Sequence, residues 1–186
     1  EVTWAFGHIL SPANPEAYDE KYKHWQNYPV FPERWKYSVP SSKKEQLDII
    51  RSRLKIADEV IHAGDPDREG QLLIDEILYF DGFKGRVKRL LLNAKDDTSL
   101  KRAFENIEDN EKFRTLYEAG LARQKADWLV GMNLTRCYSV QLAKYKYDTT
   151  LRIGRVKTPT LALVVKRELA IKNFVKHSYY DLKAFW

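Results

Sequence analysis

Apolar positions recur along the chain with two periods. Leu47, Ile50, Leu54 and Ala57 fall three or four apart, placing them on one face of a helix that begins near Lys43, with Ser41 or Ser42 able to cap it. Glu59 to Ala63 (Glu-Val-Ile-His-Ala) has the β-branched character of a short buried strand. Helical spacing resumes from Glu69 to Phe80, where Leu72, Leu73, Ile77 and Phe80 share a face. Gly82 and Gly85 interrupt it, and Val87 to Leu92 reads as a second buried strand. Strand, turn, helix and strand in that order predict a parallel pair with the helix as crossover. Helical patterns then dominate: about 97–107, about 111–143 with a break near Gly120, and about 158–173 with Thr158 as cap and Pro159 in the first turn. Val2–Phe6 and Tyr179–Trp186 have strand character, and both ends of the chain look cut. The fold class is therefore α/β, a mostly parallel sheet flanked by helices, followed by a mainly helical second domain.

Residues 11–44 break both periods. They hold most of the prolines together with Tyr18, Tyr22, Trp25, Tyr28, Phe31 and Trp35. Proline excludes long regular elements there, and the large aromatics predict an ordered loop that packs them rather than a linker. The chain has 186 residues, 44% of them hydrophobic and 13% aromatic, so it can bury a core. Its single cysteine, Cys137, excludes an internal disulfide framework and a cysteine zinc site, and suits the cytoplasm. No apolar run is long enough to span a bilayer, so no membrane role is expected.

Charge divides the chain in two. Residues 1–113 carry 18 Lys+Arg against 21 Asp+Glu, a net of −3, whereas residues 114–186 carry 14 against 5, a net of +9. The acidic part contains the run Asp65-Pro66-Asp67-Arg68-Glu69-Gly70 at the carboxyl end of the first strand, just before a helix. In an open α/β sheet that is where ligands bind. Carboxylates this close together need a positive neighbour to remain ionised. Magnesium is the natural one, because it takes hard oxygen ligands, often one or two carboxylates with a substrate phosphate. Gly64 and Gly70 let backbone approach a phosphate. An Asp-Pro-Asp turn capping a helix is the plainer account of the same residues.

Four segments in order carry a resemblance. His62 to Glu76 (His-Ala-Gly-Asp-Pro-Asp-Arg-Glu-Gly-Gln-Leu-Leu-Ile-Asp-Glu) resembles the Toprim metal motif of type IA DNA topoisomerases, and most resembles the topoisomerase III branch. Val2–Leu10, with its Gly7-His8 turn, resembles that branch's early strand. Ala122–Arg136 resembles its first helix after Toprim, and Gly154–Leu161 its Gly-Arg-Val-Gln-(Ser/Thr)-Pro motif. The resemblance implies a Toprim-like domain over 1–110 lacking its first strand, a helical DNA-binding domain over 111–177, and the start of a β segment at 178–186.

It further implies that Asp65, Asp67 and Glu69 are the catalytic acids and hold Mg2+, and that Arg123, Asp127, Arg155 and Lys157 contact DNA. Arg123 and Asp127 are four apart and so share a helix face, where the Asp can orient the Arg. Lys157 stands where the family usually has Gln. The implied enzyme is an ATP-independent isomerase that cuts mainly single-stranded DNA through a 5′-phosphotyrosine link and reseals it, a monomer in the cytoplasm. The family's tyrosine lies in an Arg-Thr context in a later domain. Here the sole Arg-Thr pair is Arg114-Thr115, with Lys112 at the tyrosine position. Tyr117 and Tyr138 are expected to pack, so the chain alone should be inactive. His8 and His62 are expected to be structural, and Trp4, Trp25, Trp35, Trp128 and Trp186 are expected to be core residues, Trp128 beside Leu121 and Leu129. The competing readings are a Toprim nuclease or primase, which shares the acidic turn, and a non-catalytic single-strand-binding module built on the basic part.

Overall fold

The computed structural model describes residues 1–147 and 149–186. Two short strands, β1 (Ser11–Pro12) and β2 (Tyr37–Ser38), pair antiparallel and close the proline-rich stretch into a loop. Helix α1 (Ser41–Leu54) leads to β3 (Glu59–His62), helix α2 (Arg68–Asp81) and β4 (Arg86–Arg89). β3 and β4 run parallel, Glu59 beside Arg86 and His62 beside Arg89, so α2 is the crossover that the hydrophobic pattern predicts. After α3 (Asp97–Glu105), β5 (Glu108–Asp109) joins β4 antiparallel, making a mixed sheet of order β3-β4-β5. Helix α4 (Arg114–Lys144) and helix α5 (Lys157–Lys172) form the helical part.

The core gathers Ile9, Leu47, Ile50 and Ile77, with Ala5, Val39 and Leu54 against it. α2 departs from its predicted face. Leu72 and Ile77 are buried, but Phe80 is exposed under the Arg51 guanidinium, and Gln71, Asp75 and Glu76 are buried instead. β3 is less buried than its β-branched residues predict, since Ile61 faces solvent on the uncovered side of the sheet.

Several local expectations change. α4 is unbroken at Gly120 because that glycine is a contact point: a Cβ there would lie 2.5 Å from the Arg68 carbonyl oxygen. Neither Ser41 nor Ser42 caps α1; Pro40 precedes it, and its carbonyl accepts from the Lys43 N–H at 2.8 Å. Thr158 is likewise inside α5, where its hydroxyl accepts from the Gly154 N–H at 3.1 Å. Val2–Phe6 and Tyr179–Trp186 form no strand, because a strand requires a hydrogen-bonded neighbour and no described residue pairs with either segment. Trp4 and Trp186 are accordingly exposed.

The proline-rich loop is ordered and packs Tyr18 and Trp35 onto α4, whereas Trp25 and Phe31 are exposed and not core residues. Trp128 takes Tyr18 and Trp35 edge-on, at 5.9 and 5.4 Å between ring centroids, in place of leucine neighbours on its own helix. Asn133 on α4 clamps the same loop, donating to the Val30 carbonyl at 3.0 Å and accepting from the Val30 N–H at 2.6 Å. Tyr117 packs against Tyr79 with centroids 5.0 Å apart, whereas Tyr138 is 51% exposed and is not a packing residue. No helix among the described residues is long and apolar enough to cross a membrane.

Candidate active site and nucleic-acid interface

The acidic turn sits at the carboxyl end of β3 and is held by backbone. A Cβ on Gly64 would lie 2.6 Å from the Gly70 carbonyl oxygen, and one on Gly70 would collide with the Asp65 backbone. Both glycines therefore let the turn pack on the first turn of α2. Asp67 caps α2 by accepting from the Gly70 N–H at 2.7 Å. Asp65 and Asp67 are exposed.

Arg89 fixes the turn from beneath. It is fully buried, and its Nη1 donates to the Gly64 carbonyl at 2.7 Å and the His62 carbonyl at 3.1 Å, while Nη2 donates to the Asp65 carbonyl at 2.6 Å. Its Nε donates to Gln71 Oε1 at 2.8 Å, and the Gln71 amide donates to Asp75 at 2.8 Å. Asn110 completes the relay, donating to Asp75 at 2.9 Å. Burial pulls the Arg89 pKa down while Asp75, Asp65 and Asp67 pull it up, and burial raises that of Asp75. This buried cation is a site residue that a reading of apolar periodicity misses, since the strand is read there from its apolar residues and an arginine is a residue type that usually faces water.

His62 behaves as expected of a core histidine. Burial, reinforced by Arg89, lowers its pKa to about 4, so it is neutral and its 3.9 Å approach to Asp75 is not an ion pair. Its Nδ1 accepts from the Gly64 N–H at 3.2 Å, leaving Nε2 to donate to the Gln71 carbonyl at 3.2 Å.

His8 is more than a turn residue. Its ring bridges Glu76 at 2.7 Å and Glu69 at 2.9 Å, and the hydrogen bond to Glu76 is the largest effect raising its pKa to about 9. Glu69 thus already has a cationic partner. From Glu76 the network crosses to α4, where Gln124 donates at 3.1 Å.

Among the described residues no three His, Cys, Asp or Glu side chains converge as a ready cation cage. Asp65 and Asp67 offer hard oxygen on one exposed turn, a donor set that fits a magnesium held by one or two carboxylates and water. Glu69 points instead to His8.

The predicted DNA contacts lie across a cavity of about 510 Å3 lined by Arg68, Arg123, Asp127 and Arg155, with Ala122, Ala126 and Val156. Asp127 reaches Arg155 at 3.3 Å and Arg123 at 3.6 Å, so one carboxylate positions two guanidiniums brought from separate elements. Lys157 opens α5 two residues further on and does not line the cavity.

A parallel strand ending in an acidic turn, with a helical arm behind it, defines a Toprim-domain protein: the Toprim domain family matches residues 1–95 and the DNA topoisomerase family matches residues 111–185. The chain is 43% identical to DNA topoisomerase 3 of Vibrio cholerae and 42% identical to that of Salmonella typhimurium, each over 98% of this chain and 29% of the relative. A solved full-length topoisomerase I from Thermotoga maritima superposes with a TM-score of 0.62 at 25% identity, covering 94% of this chain and 27% of that one. The chain belongs to the Toprim domain family, is similar to DNA topoisomerase 3 along 98% of its length, and spans about 29% of the length of these relatives.

Proposed function

We propose that this chain supplies the acidic site and part of the DNA surface of a topoisomerase that cuts single-stranded DNA through a 5′-phosphotyrosine link and reseals it, working as a monomer in the cytoplasm. The observation that carries the reading is the juxtaposition of two unlike parts. An acidic turn fixed by Arg89 lies next to a cavity with three arginines, and Arg68 belongs to both. On this reading Arg123, Arg155 and Lys157 hold the DNA backbone, and Asp127 orients the two arginines. Asp65 and Asp67, with Glu69 at the side, hold Mg2+, which when bound supplies positive charge beside the scissile phosphate. The division follows the charge: an acidic Toprim part over 1–110 and a basic helical part over 111–177.

The test is a denaturing gel of an end-labelled single-stranded oligonucleotide incubated with this chain and magnesium. The expected result is neither cleavage nor adduct, because no tyrosine here stands in the family's Arg-Thr context. Cleavage without protein attachment would replace the reading with a metal-dependent nuclease. A covalent adduct would show that one of these tyrosines is the nucleophile.

A further inference from the structure

Glu76 is a buried carboxylate outside the acidic turn. It lies on α2 seven residues after Glu69, and two helical turns put both acids on one face. The His8 ring sits between them, its Nδ1 2.7 Å from Glu76 Oε1 and its Nε2 2.9 Å from Glu69 Oε1. Carboxylate oxygens only accept, so both ring nitrogens donate. The ring is held on two sides. Gly7, at φ 65°, makes the turn that presents it, and Lys43 and Gln46 of α1 donate to the Phe6 and Trp4 carbonyls, each at 2.7 Å. From α4, Gln124 donates to Glu76 Oε2 at 3.1 Å, and the Gln124 side-chain oxygen accepts from the Tyr37 hydroxyl at 3.4 Å. Both oxygens of Glu76 are therefore engaged, which fixes the plane of its carboxylate and the ring that leans on it.

We propose that Glu76 is a positioning residue for Glu69. Acting through His8, it holds the Glu69 carboxylate to the side of the acidic turn, and Glu69 joins Asp65 and Asp67 around a divalent cation only by leaving the ring. The proposal rests on the magnesium role proposed for the turn and adds an internal competitor for one of its three acids. The two carboxylates are unequal partners of the ring. Glu76 is buried, so its contact with His8 is the anchor; Glu69 is half exposed, so its contact is the one that exchanges. An exposed ion pair shifts an equilibrium by a few-fold, which sets the size of the effect.

The experiment is a magnesium titration of this chain, followed by calorimetry and by nitrogen–proton correlation spectra of the histidine rings, with the His8 signals identified by their loss in His8→Gln. In wild type the His8 Nε2 signal is expected to shift in step with magnesium occupancy as Glu69 departs, while the Nδ1 signal stays in place. Glu76→Gln is expected to bind magnesium about two- to fivefold more tightly. Loss of a negative charge alone would instead weaken cation binding, so the sign separates positioning from plain electrostatics. In a Glu69→Gln background the same substitution should give no tightening, because the carboxylate it releases is gone. Saturating heat with an unmoved Nε2 signal would overturn this inference and leave the magnesium reading standing. Weaker binding by Glu76→Gln in both backgrounds would do the same. Absence of magnesium binding by wild type would remove the inference and the magnesium reading together.

Discussion

His62 contributes to folding only while it is neutral. Its ring accepts from Gly64 and donates to Gln71, and a second proton would place a cation against Arg89 in a buried site. Its folded pKa of about 4 lies below the ordinary 6.5, so between those values the unfolded chain binds more protons. Stability therefore falls as pH drops from about 6.5 towards about 4, by up to about 3 kcal/mol. Asp75, whose pKa burial raises, opposes this at the acid end, because it binds its proton more readily in the folded state. Urea unfolding across that range should show a smaller fall in His62→Gln than in wild type, and parallel profiles would refute the assignment. Arg89 is the second test at this scale. Arg89→Met leaves Asp75 buried without its cation and frees the Gly64 and Asp65 carbonyls, so a loss of about 3–5 kcal/mol is expected in the same measurement. None of this polar relay is legible from periodicity. Gln71, Asp75 and Arg89 are residue types that usually face water, and only their three-dimensional convergence makes them core.

Between elements, the decisive contact is α2 against α4. Gly120 faces the first turn of α2, and a Cβ there would lie 2.5 Å from the Arg68 oxygen and 3.1 Å from Leu72 Cβ. Gly120→Ala must push the helices apart, and a loss of about 1–3 kcal/mol in thermal unfolding is expected despite alanine's better helix propensity. Gly131 is the contrast within the same helix. Its added Cβ meets only the Ile153 carbonyl, at an ordinary 3.4 Å, so Gly131→Ala should gain up to about 1 kcal/mol. If both substitutions moved stability in the same direction, helix packing would not be what distinguishes them. The elements are readable because each carries its own signal: apolar spacing for α1 and α2, and β-branched residues for β3. A break at Gly120 was the natural sequence expectation, since glycine weakens an isolated helix. In the fold, the neighbour that needs its missing Cβ outweighs propensity. The end segments have β character without forming strands, because β character does not supply the partner that makes a segment a strand.

Across the whole molecule, charge is separated, with a net of −3 before Arg114 and +9 from it onward. The separation creates a conflict at the boundary, because the arginine-lined cavity begins at Arg68, the residue after Asp67. A carboxylate that stood roughly 8–10 Å from a phosphate would cost about 0.4–1 kcal/mol at an effective dielectric between protein surface and water. A cation on the turn removes that cost, so magnesium should tighten single-strand binding by a few-fold at constant ionic strength, while also competing weakly for the phosphates. The double variant Asp65→Asn/Asp67→Asn separates the two effects. Asn caps a helix about as well as Asp, so α2 and its melting temperature should be preserved. The variant should bind the oligonucleotide more tightly than wild type without magnesium, and magnesium should then only weaken it. If wild type and variant responded to magnesium alike, the cation would be acting on the DNA rather than on the acidic turn. Isothermal titration with magnesium alone gives the independent readout: heat of binding in wild type, and its loss in the variant.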